Sequence, residues 1–490
     1  MLRLNICCDI HACWAVSVLQ TSSRLGTFFL GIIFCCALLC VPRAHASQLN
    51  IAAQKSLTEQ LQLLSLATPT MKWRKYLDVM QTGSQAEQLE YMDEIQTQIA
   101  QYWLSQHVSL PYHQLDADGL PQSRVFALEP NSVDYLAITN NIRRLLWLQQ
   151  HYEWPAIQPG GLLRLNDDHR SIPFIAERLY RLGDMAEPWP ELHRQFNDQL
   201  YDAVLQFQQR HGLKSDGVIG PQTLHWLNTT PYQRAQYLAQ SFVDKTIYLA
   251  TIEPSYLLVN IPEYKMMLVD NNQLVMTSKV IVGRAYRQTP VFKGSISNIV
   301  INPTWTVPRK LMRRDVLPKI HQDGHYLAEQ QFDVFDEQGA KVEYEPLQWQ
   351  QLAAGRFPYR LVQRPGKHNA LGRYKIHFKN DLNVYLHDTP DKQLFDEAKR
   401  DLSSGCVRIE KIDQLAQWFA NNLVKDQRTW IKLQDDYQTT QWFSLKKHLP
   451  VHFVYWPAWV NEQFVAQYRD DIYHRFADTS PESMLSLNRP

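Results

Sequence analysis

The sequence predicts a multidomain α+β protein: a helical scaffold, a small three-helix module and a mainly-β domain that carries a capping insertion. Three observations predict it. The chain has 490 residues, too many for one ordinary hydrophobic core. Its apolar residues recur at helical spacing up to about residue 228, then change near residue 256 to strand-like runs. Its hydrophobic content of 45% and charged content of 20% are those of a globular chain with enough apolar side chains to fill several cores.

The helical part comes first. Leu57, Leu61 and Leu64, then Leu89, Met92, Ile95 and Ile99, predict helix through residues 55–106. Ile138, Ile142, Leu145 and Leu148 predict another over 132–150. Residues 170–228 read as a separate small unit. A helix over 173–182 stops at Gly183, and a second with Leu200, Val204 and Phe207 on one face stops at Gly212. The turn Asp216-Gly217-Val218-Ile219-Gly220 follows, and Pro221 opens a third helix bearing Leu224 and Leu227. From residue 256 the runs 256–261, 264–269, 273–282, 297–301, 374–378 and 383–386 read as strands, with Asp270-Asn271-Asn272 as a turn. Residues 309–366 are mixed and partly helical, and interrupt the strands as an insertion. A helix over 411–422 and a strand over 448–456 complete the chain.

The first 46 residues read as a leader. Residues 27–41 are continuously apolar, Arg24 precedes them, and Ala44-His45-Ala46 is a small-x-small pattern for cleavage before Ser47. This layout predicts export, with the periplasm as the expected setting once the resemblance described below is taken with it. The apolar run is short for a membrane span, so contact with a membrane is expected only through an uncleaved leader. The net charge of +1 and the lack of a basic tract argue against nucleic acid as a partner.

Export makes the cysteines informative. Cys7, Cys8, Cys13, Cys35, Cys36 and Cys40 all lie in the leader, so the mature chain holds Cys406 alone. Exported proteins use cysteine mainly in pairs. A lone thiol is either buried and inert or kept for its reactivity. Its surroundings favour chemistry. Tyr385-Leu386-His387-Asp388-Thr389 is followed by Ser403-Ser404-Gly405-Cys406-Val407-Arg408. His387 can take the thiol proton, hold the thiolate as an ion pair and protonate a leaving amine. A Ser404-Gly405-Cys406 turn can aim backbone N–H groups at an oxyanion, and Gly405 allows close approach. Arg408 falls on the same side of an extended stretch as Cys406, and suits a carboxylate or the thiolate. Spacing alone leaves open a core cysteine beside a structural histidine, since the chain has 17 histidines.

The stretch 385–408 resembles the active-site signature of the L,D-transpeptidase (YkuD-type) family: a histidine, a gap, then Ser/Thr-x-Gly-Cys-x-Arg/Asn. Ser404 stands where the common form has histidine, a variant of the large Gram-negative members. The likeness extends to Ile281-Val282-Gly283-Arg284, Thr289-Pro290-Val291-Phe292, Asn302-Pro303-Thr304-Trp305-Thr306-Val307-Pro308 and Asn369-Ala370-Leu371-Gly372-Arg373-Tyr374-Lys375. It implies that Cys406 is the nucleophile, His387 the base and the Asp388 backbone carbonyl the third element. Gly405 and Ser404 would serve the oxyanion, and Trp305, Tyr385 and Arg408 the substrate. Phe207-Gln208, Gly212-Leu213, Asp216-Gly217, Gly220 and Thr223-Leu224 resemble the type 1 peptidoglycan-binding module, although fold alone also explains them.

Residue patterns and the resemblance together thus predict a leader over 1–46, a helical scaffold over 47–165, a peptidoglycan-binding-like module over 166–230, a helical linker over 231–255, a catalytic domain over 256–435 with its capping insertion at 309–366, and a C-terminal extension over 436–490. The resemblance implies 3-3 cross-linking of two meso-diaminopimelate residues through a cysteine thioester, with release of D-alanine. Hydrolysis, lipoprotein attachment and a non-catalytic wall-binding scaffold stand as alternatives. Peptidoglycan stem peptides and glycan are the implied partners, with peptidoglycan synthases as a further class. No cofactor is implied, and no metal: His-Glu-x-x-His is absent from the sequence, and Cys406 lacks companion cysteines. Ser444-Leu445-Lys446-Lys447 fits Ser-x-x-Lys, but no Lys-Thr-Gly follows. That segment reads as an exposed turn.

Overall fold

The structure, a computed structural model, describes residues 51–114, 121–190 and 192–476. The segment expected as a leader, with its six cysteines, and the end of the expected C-terminal extension lie outside the described residues. Among the described residues, no helix is long and apolar enough to cross a membrane.

The region expected as helix over 55–106 is three helices: α1 (Ile51–Ala67), α2 (Met71–Thr82) and α3 (Gln85–Ser105). Local chemistry makes each break. Thr70 accepts a hydrogen bond from the Trp73 N–H and starts α2. Ser84 and Glu87 form a reciprocal capping box that starts α3, each such cap contributing about 1 kcal/mol. With α4 (Pro121–Phe126), α5 (Tyr135–His151) and the later α9 (Pro231–Leu249), these helices share one apolar core. Between α5 and α9 lie the three helices of the small unit, α6 (Ile172–Leu182), α7 (Asp198–Arg210) and α8 (Pro221–Asn228). Gly183 ends α6 at φ +87°, a left-handed stop. The buried Gln208 amide fixes the following turn. It donates to the Val218 carbonyl and Thr223 Oγ1, and accepts from the N–H groups of Asp216 and Gly217.

The strands are β1 (Tyr256–Asn260), β2 (Lys265–Asp270), β3 (Gln273–Gly283), β4 (Phe292–Ile301), β5 (Trp305–Thr306), β6 (Phe332–Phe335), β7 (Arg360–Gln363), β8 (Tyr374–Phe378), β9 (Leu386–His387), β10 (Asp401–Ser403), β11 (Val407–Ile409), β12 (Gln441–Val454), β13 (Ala458–Val460) and β14 (Ala466–Tyr468). Nine of them form a sheet in the order β10-β3-β11-β9-β8-β4-β12-β1-β2. A further β2–β3 pairing closes this sheet on itself like a barrel. The length of β3 permits three partners: its first part pairs with β2, Val280 and Ile281 with β11, and its end with β10. Alternation decides which side chains enter the core. In β8, Tyr374, Ile376 and Phe378 are buried inside, which turns Lys375 and His377 to the other face. Helix α14 (Ile412–Asn422) adds Leu415 and Phe419 to the same core, and α15 (Gln427–Lys432) adds Trp430.

Two strands differ from expectation. The strand expected over 383–386 begins only at Leu386, because the Asn380 side chain accepts from the Leu382 and Val384 N–H groups and holds a loop. The segment expected as a turn at 444–447 belongs to β12. There the register on β4 breaks between Ser444 and Leu449 while Leu445 stays buried. Moreover, β12 lies between β4 and β1, so the sheet expected to finish by residue 435 takes a strand from the C-terminal segment.

The insertion has a small core of its own. A three-stranded sheet, β5-β7-β6, packs with α10 (Arg309–Leu311), α11 (Leu317–Gln322), α12 (Tyr326–Glu329) and α13 (Pro346–Ala353). A single π-type turn, Met312–Val316, joins α10 to α11. After β12 the chain returns to the helical part. The β13–β14 hairpin contributes Ala458, Ala466 and Tyr468 to the helical core, and Trp226 donates to Asp470 at 2.7 Å.

Candidate active site

A cleft of about 1790 Å³ lies between the barrel and the insertion. Cys406, His387, Tyr385 and Arg408 line it from the barrel, and Trp305, Lys310 and Arg314 from the opposite side. Strand pairing produces this grouping. β9 and β11 are parallel neighbours with Leu386 opposite Val407 and His387 opposite Arg408. The Val407 N–H donates to the Tyr385 carbonyl at 3.1 Å. Cys406 therefore stands beside Tyr385, one alternation step from the Arg408–His387 pair and on the same face.

The turn that presents Cys406 is held from several directions. Gly405 has φ +115°, a conformation that side chains disfavour. Ser403 Oγ donates to the Cys406 carbonyl at 2.6 Å and accepts from the Gly405 N–H at 3.0 Å. Buried Thr289 donates to the Gly405 carbonyl and accepts from the Gly283 N–H, both at 2.9 Å. Tyr473 braces Thr289 in turn, accepting from its N–H and donating to the Gly283 carbonyl. One expectation changes here. The Gly405 N–H, expected to serve an oxyanion, is already engaged by Ser403, because the hydroxyl caps the turn. The Cys406 N–H has no acceptor among the described residues and is the donor left for that task. Ser404 is exposed and accepts from Arg287 at 3.0 Å.

His387 is fixed through its other nitrogen. Nδ1 lies 2.5 Å from the Asp388 carbonyl oxygen. A carbonyl only accepts, so Nδ1 carries the proton and Nε2 the lone pair. Asp388 thus acts through its backbone, while its carboxylate organises the loop. Oδ1 accepts from the Thr389 N–H and Lys392, and Oδ2 from the Arg373 N–H. Gly372, at φ +58°, leaves room for that carboxylate.

The electrostatics alter the expected resting state. Burial, reinforced by the Arg408 and Lys375 charges, pushes the imidazole down to about 3 against the Asp388 hydrogen bond. Burial also pushes the Cys406 thiol up, opposed by hydrogen bonds from Tyr385 and by the Lys375 and Arg408 charges. Both shifts run against the ion pair that the sequence suggested. The thiol's hydrogen bond goes to the Asn383 carbonyl at 3.8 Å, and none joins it to His387. Proton transfer to Nε2 remains open to a strand neighbour on the same face, since such contacts often tighten only with substrate.

Of the remaining expected residues, Tyr385 is central. Its hydroxyl interacts with Cys406 and with Trp305, and its ring meets His387 edge-on at 5.5 Å. Arg408 pairs with Asp391 at 3.6 Å. Sequence reasoning gave no site role to Thr289, Asn383, Arg287 or Lys375. Lys375 is opposite His387 in the β8–β9 ladder, and its ammonium rests 4.1 Å from the Tyr385 ring centroid. The alternation of β8 could have placed it outside the core, but not beside the thiol. Among the described residues, no group of His, Cys, Asp and Glu suits a metal ion.

Two segments of the chain match known families. Residues 254–432 match the family model described as the L,D-transpeptidase catalytic domain, YkuD. Residues 172–227 match the one described as a "putative peptidoglycan binding domain". A curated relative from Haemophilus influenzae, described as a "Putative L,D-transpeptidase", is 31% identical over 337 residues, 67% of this chain. The match spans 61% of that relative's length. Among solved structures, an L,D-transpeptidase from Stackebrandtia nassauensis is 14% identical, over 60% of this chain and 97% of the other, with a TM-score of 0.23. One from Mycobacterium smegmatis is 11% identical, over 41% and 58%, with a TM-score of 0.20.

Proposed function

Because the chain carries an L,D-transpeptidase catalytic domain and a peptidoglycan-binding type of module, we propose that it cross-links peptidoglycan stem peptides through a thioester on Cys406. The observation that carries the reading is the β9–β11 register. It sets Cys406 and His387 on one face of one cleft, with Nδ1 tied to the Asp388 carbonyl.

The donor is a tetrapeptide that ends in D-alanine. Its amide, between the L-centre of meso-diaminopimelate and D-alanine, enters the cleft beneath Trp305. His387 Nε2 takes the thiol proton as Sγ attacks the carbonyl carbon, and the Asp388 carbonyl steadies the imidazolium. The Cys406 N–H faces the developing oxyanion, a donor worth about 3–4 kcal/mol in comparable sites. The proton passes to the departing nitrogen, D-alanine leaves and a thioester remains. The amine on the D-centre of a second meso-diaminopimelate then attacks, giving the 3-3 link and restoring the thiol. The reading includes export to the periplasm, which rests on the leader pattern. Glycan on the helical module and peptidoglycan synthases are its further partners.

Digestion of purified muropeptides followed by mass analysis tests it. The wild-type chain should yield dimers with free D-alanine, and Cys406→Ala should yield none while keeping its melting temperature. Tripeptides without dimers would mean an L,D-carboxypeptidase. No product at all, with no carbapenem adduct on Cys406, would mean a wall-binding scaffold.

A further inference from the structure

Three strands bring three side chains into one row on the floor of the cleft. Lys375 on β8 is the register partner of His387 on β9, and His387 is that of Arg408 on β11. The two cations that flank the imidazole differ in their partners. Arg408 has a carboxylate, Asp391. Lys375 has neither a carboxylate nor a hydrogen-bond acceptor among the described residues. Its ammonium leans on the face of the Tyr385 ring and lines the cleft. Burial lowers its pKa from the ordinary lysine value, so holding the charge there is costly until an anion arrives. The Tyr385 hydroxyl reaches Cys406. The ammonium therefore stands one aromatic ring away from the sulfur, in the cleft that a carboxylate following the attacked amide would enter.

We propose that Lys375 binds the α-carboxylate of the D-amino acid on the leaving side of the scissile amide, and then the α-carboxylate of the incoming amine. The inference rests on the transpeptidase reading above. In the first half-reaction the Sγ–C bond forms, the C–N bond breaks, and the proton held on Nε2 goes to the departing nitrogen. In the second, an amine gives its proton to Nε2, the N–C bond forms and the S–C bond breaks, with the proton returned to sulfur. The D-alanine that leaves and the D-centre that arrives share one fragment, amine–Cα–carboxylate of the same hand. One fixed cation serves both. Water has no carboxylate and gains nothing from Lys375, so this side chain biases the thioester toward aminolysis.

The test uses the full chain, a disaccharide tetrapeptide donor and two competing acceptors, isotope-labelled D-alanine and D-alaninamide. A charge-assisted contact predicts that the wild type prefers D-alanine by about tenfold to a hundredfold. Lys375→Met should take both acceptors about equally and release more tripeptide for each thioester formed. Lys375→Arg should recover the preference, which a merely structural role would not produce. Unchanged preference in Lys375→Met, or no preference in the wild type, would overturn the assignment. Wild-type release of tripeptide without transfer to any amine would instead overturn the transpeptidase reading itself.

Discussion

Thr289→Val is the sharpest probe of how the nucleophile turn is built. Thr289 is fully buried, and its hydroxyl satisfies two buried backbone groups, the Gly405 carbonyl and the Gly283 N–H, at 2.9 Å each. Valine has nearly the same shape, so it leaves no cavity and removes only the hydrogen bonds. Orphaning a buried polar group costs about 1–3 kcal/mol, hence about 2–6 kcal/mol for two. The added buried methyl returns about 1 kcal/mol, so the net loss should be about 1–5 kcal/mol. Urea denaturation at fixed slope measures it, with Thr289→Ser as the control that keeps the hydroxyl. A freed Gly405 carbonyl also lets the Cys406 N–H drift from its aim. Acylation of Cys406 by a carbapenem, followed by intact mass, should slow at least about tenfold, since losing one oxyanion donor typically costs about a hundredfold or more. A variant within about 0.5 kcal/mol of wild type that acylates at the wild-type rate would refute the reasoning.

Two further outcomes follow from the same geometry. Because burial raises the Cys406 thiol, the thiolate fraction of the free chain is small at neutral pH. Iodoacetamide alkylation should keep accelerating as pH rises past the ordinary thiol range, whereas a plateau near neutrality would reveal a pre-formed ion pair. Gly372→Ala would put a Cβ 2.4 Å from Asp388 Cγ at a φ of +58°. Strain and displacement of that carboxylate should cost about 1–3 kcal/mol and lower activity. Unchanged stability and turnover would show that the carboxylate does not organise the His387 loop.

Much of the fold was legible locally. The starts of α6 and α8, the stop at Gly183 and the alternation of β8 follow from short-range chemistry that the residue types announce. The breaks within residues 55–106 were written there too, in Thr70 and in Ser84 with Glu87, but uninterrupted apolar spacing masked them. The loop before β9 was harder to see, because one side chain, Asn380, substitutes for strand partners. In the site, Cys406 and His387 stood out as reactive types in a telling pattern. Lys375 and Thr289 did not, because nothing in their own neighbourhoods marks them.

By itself, the sequence determined that this chain would pair helices with strands, and it singled out one thiol and one imidazole as the candidates for its chemistry. Periodicity and side-chain reactivity are properties of a few adjacent residues, so they can be read before folding. Only the tertiary structure decided that β12 lies inside the sheet, that Tyr473 braces Thr289, and that Lys375, His387 and Arg408 stand in one row. It also set the direction in which the thiol and the imidazole shift, since desolvation depends on what the closed barrel and the insertion pack around each group. Strand register joins residues far apart in the chain, and no local pattern specifies it.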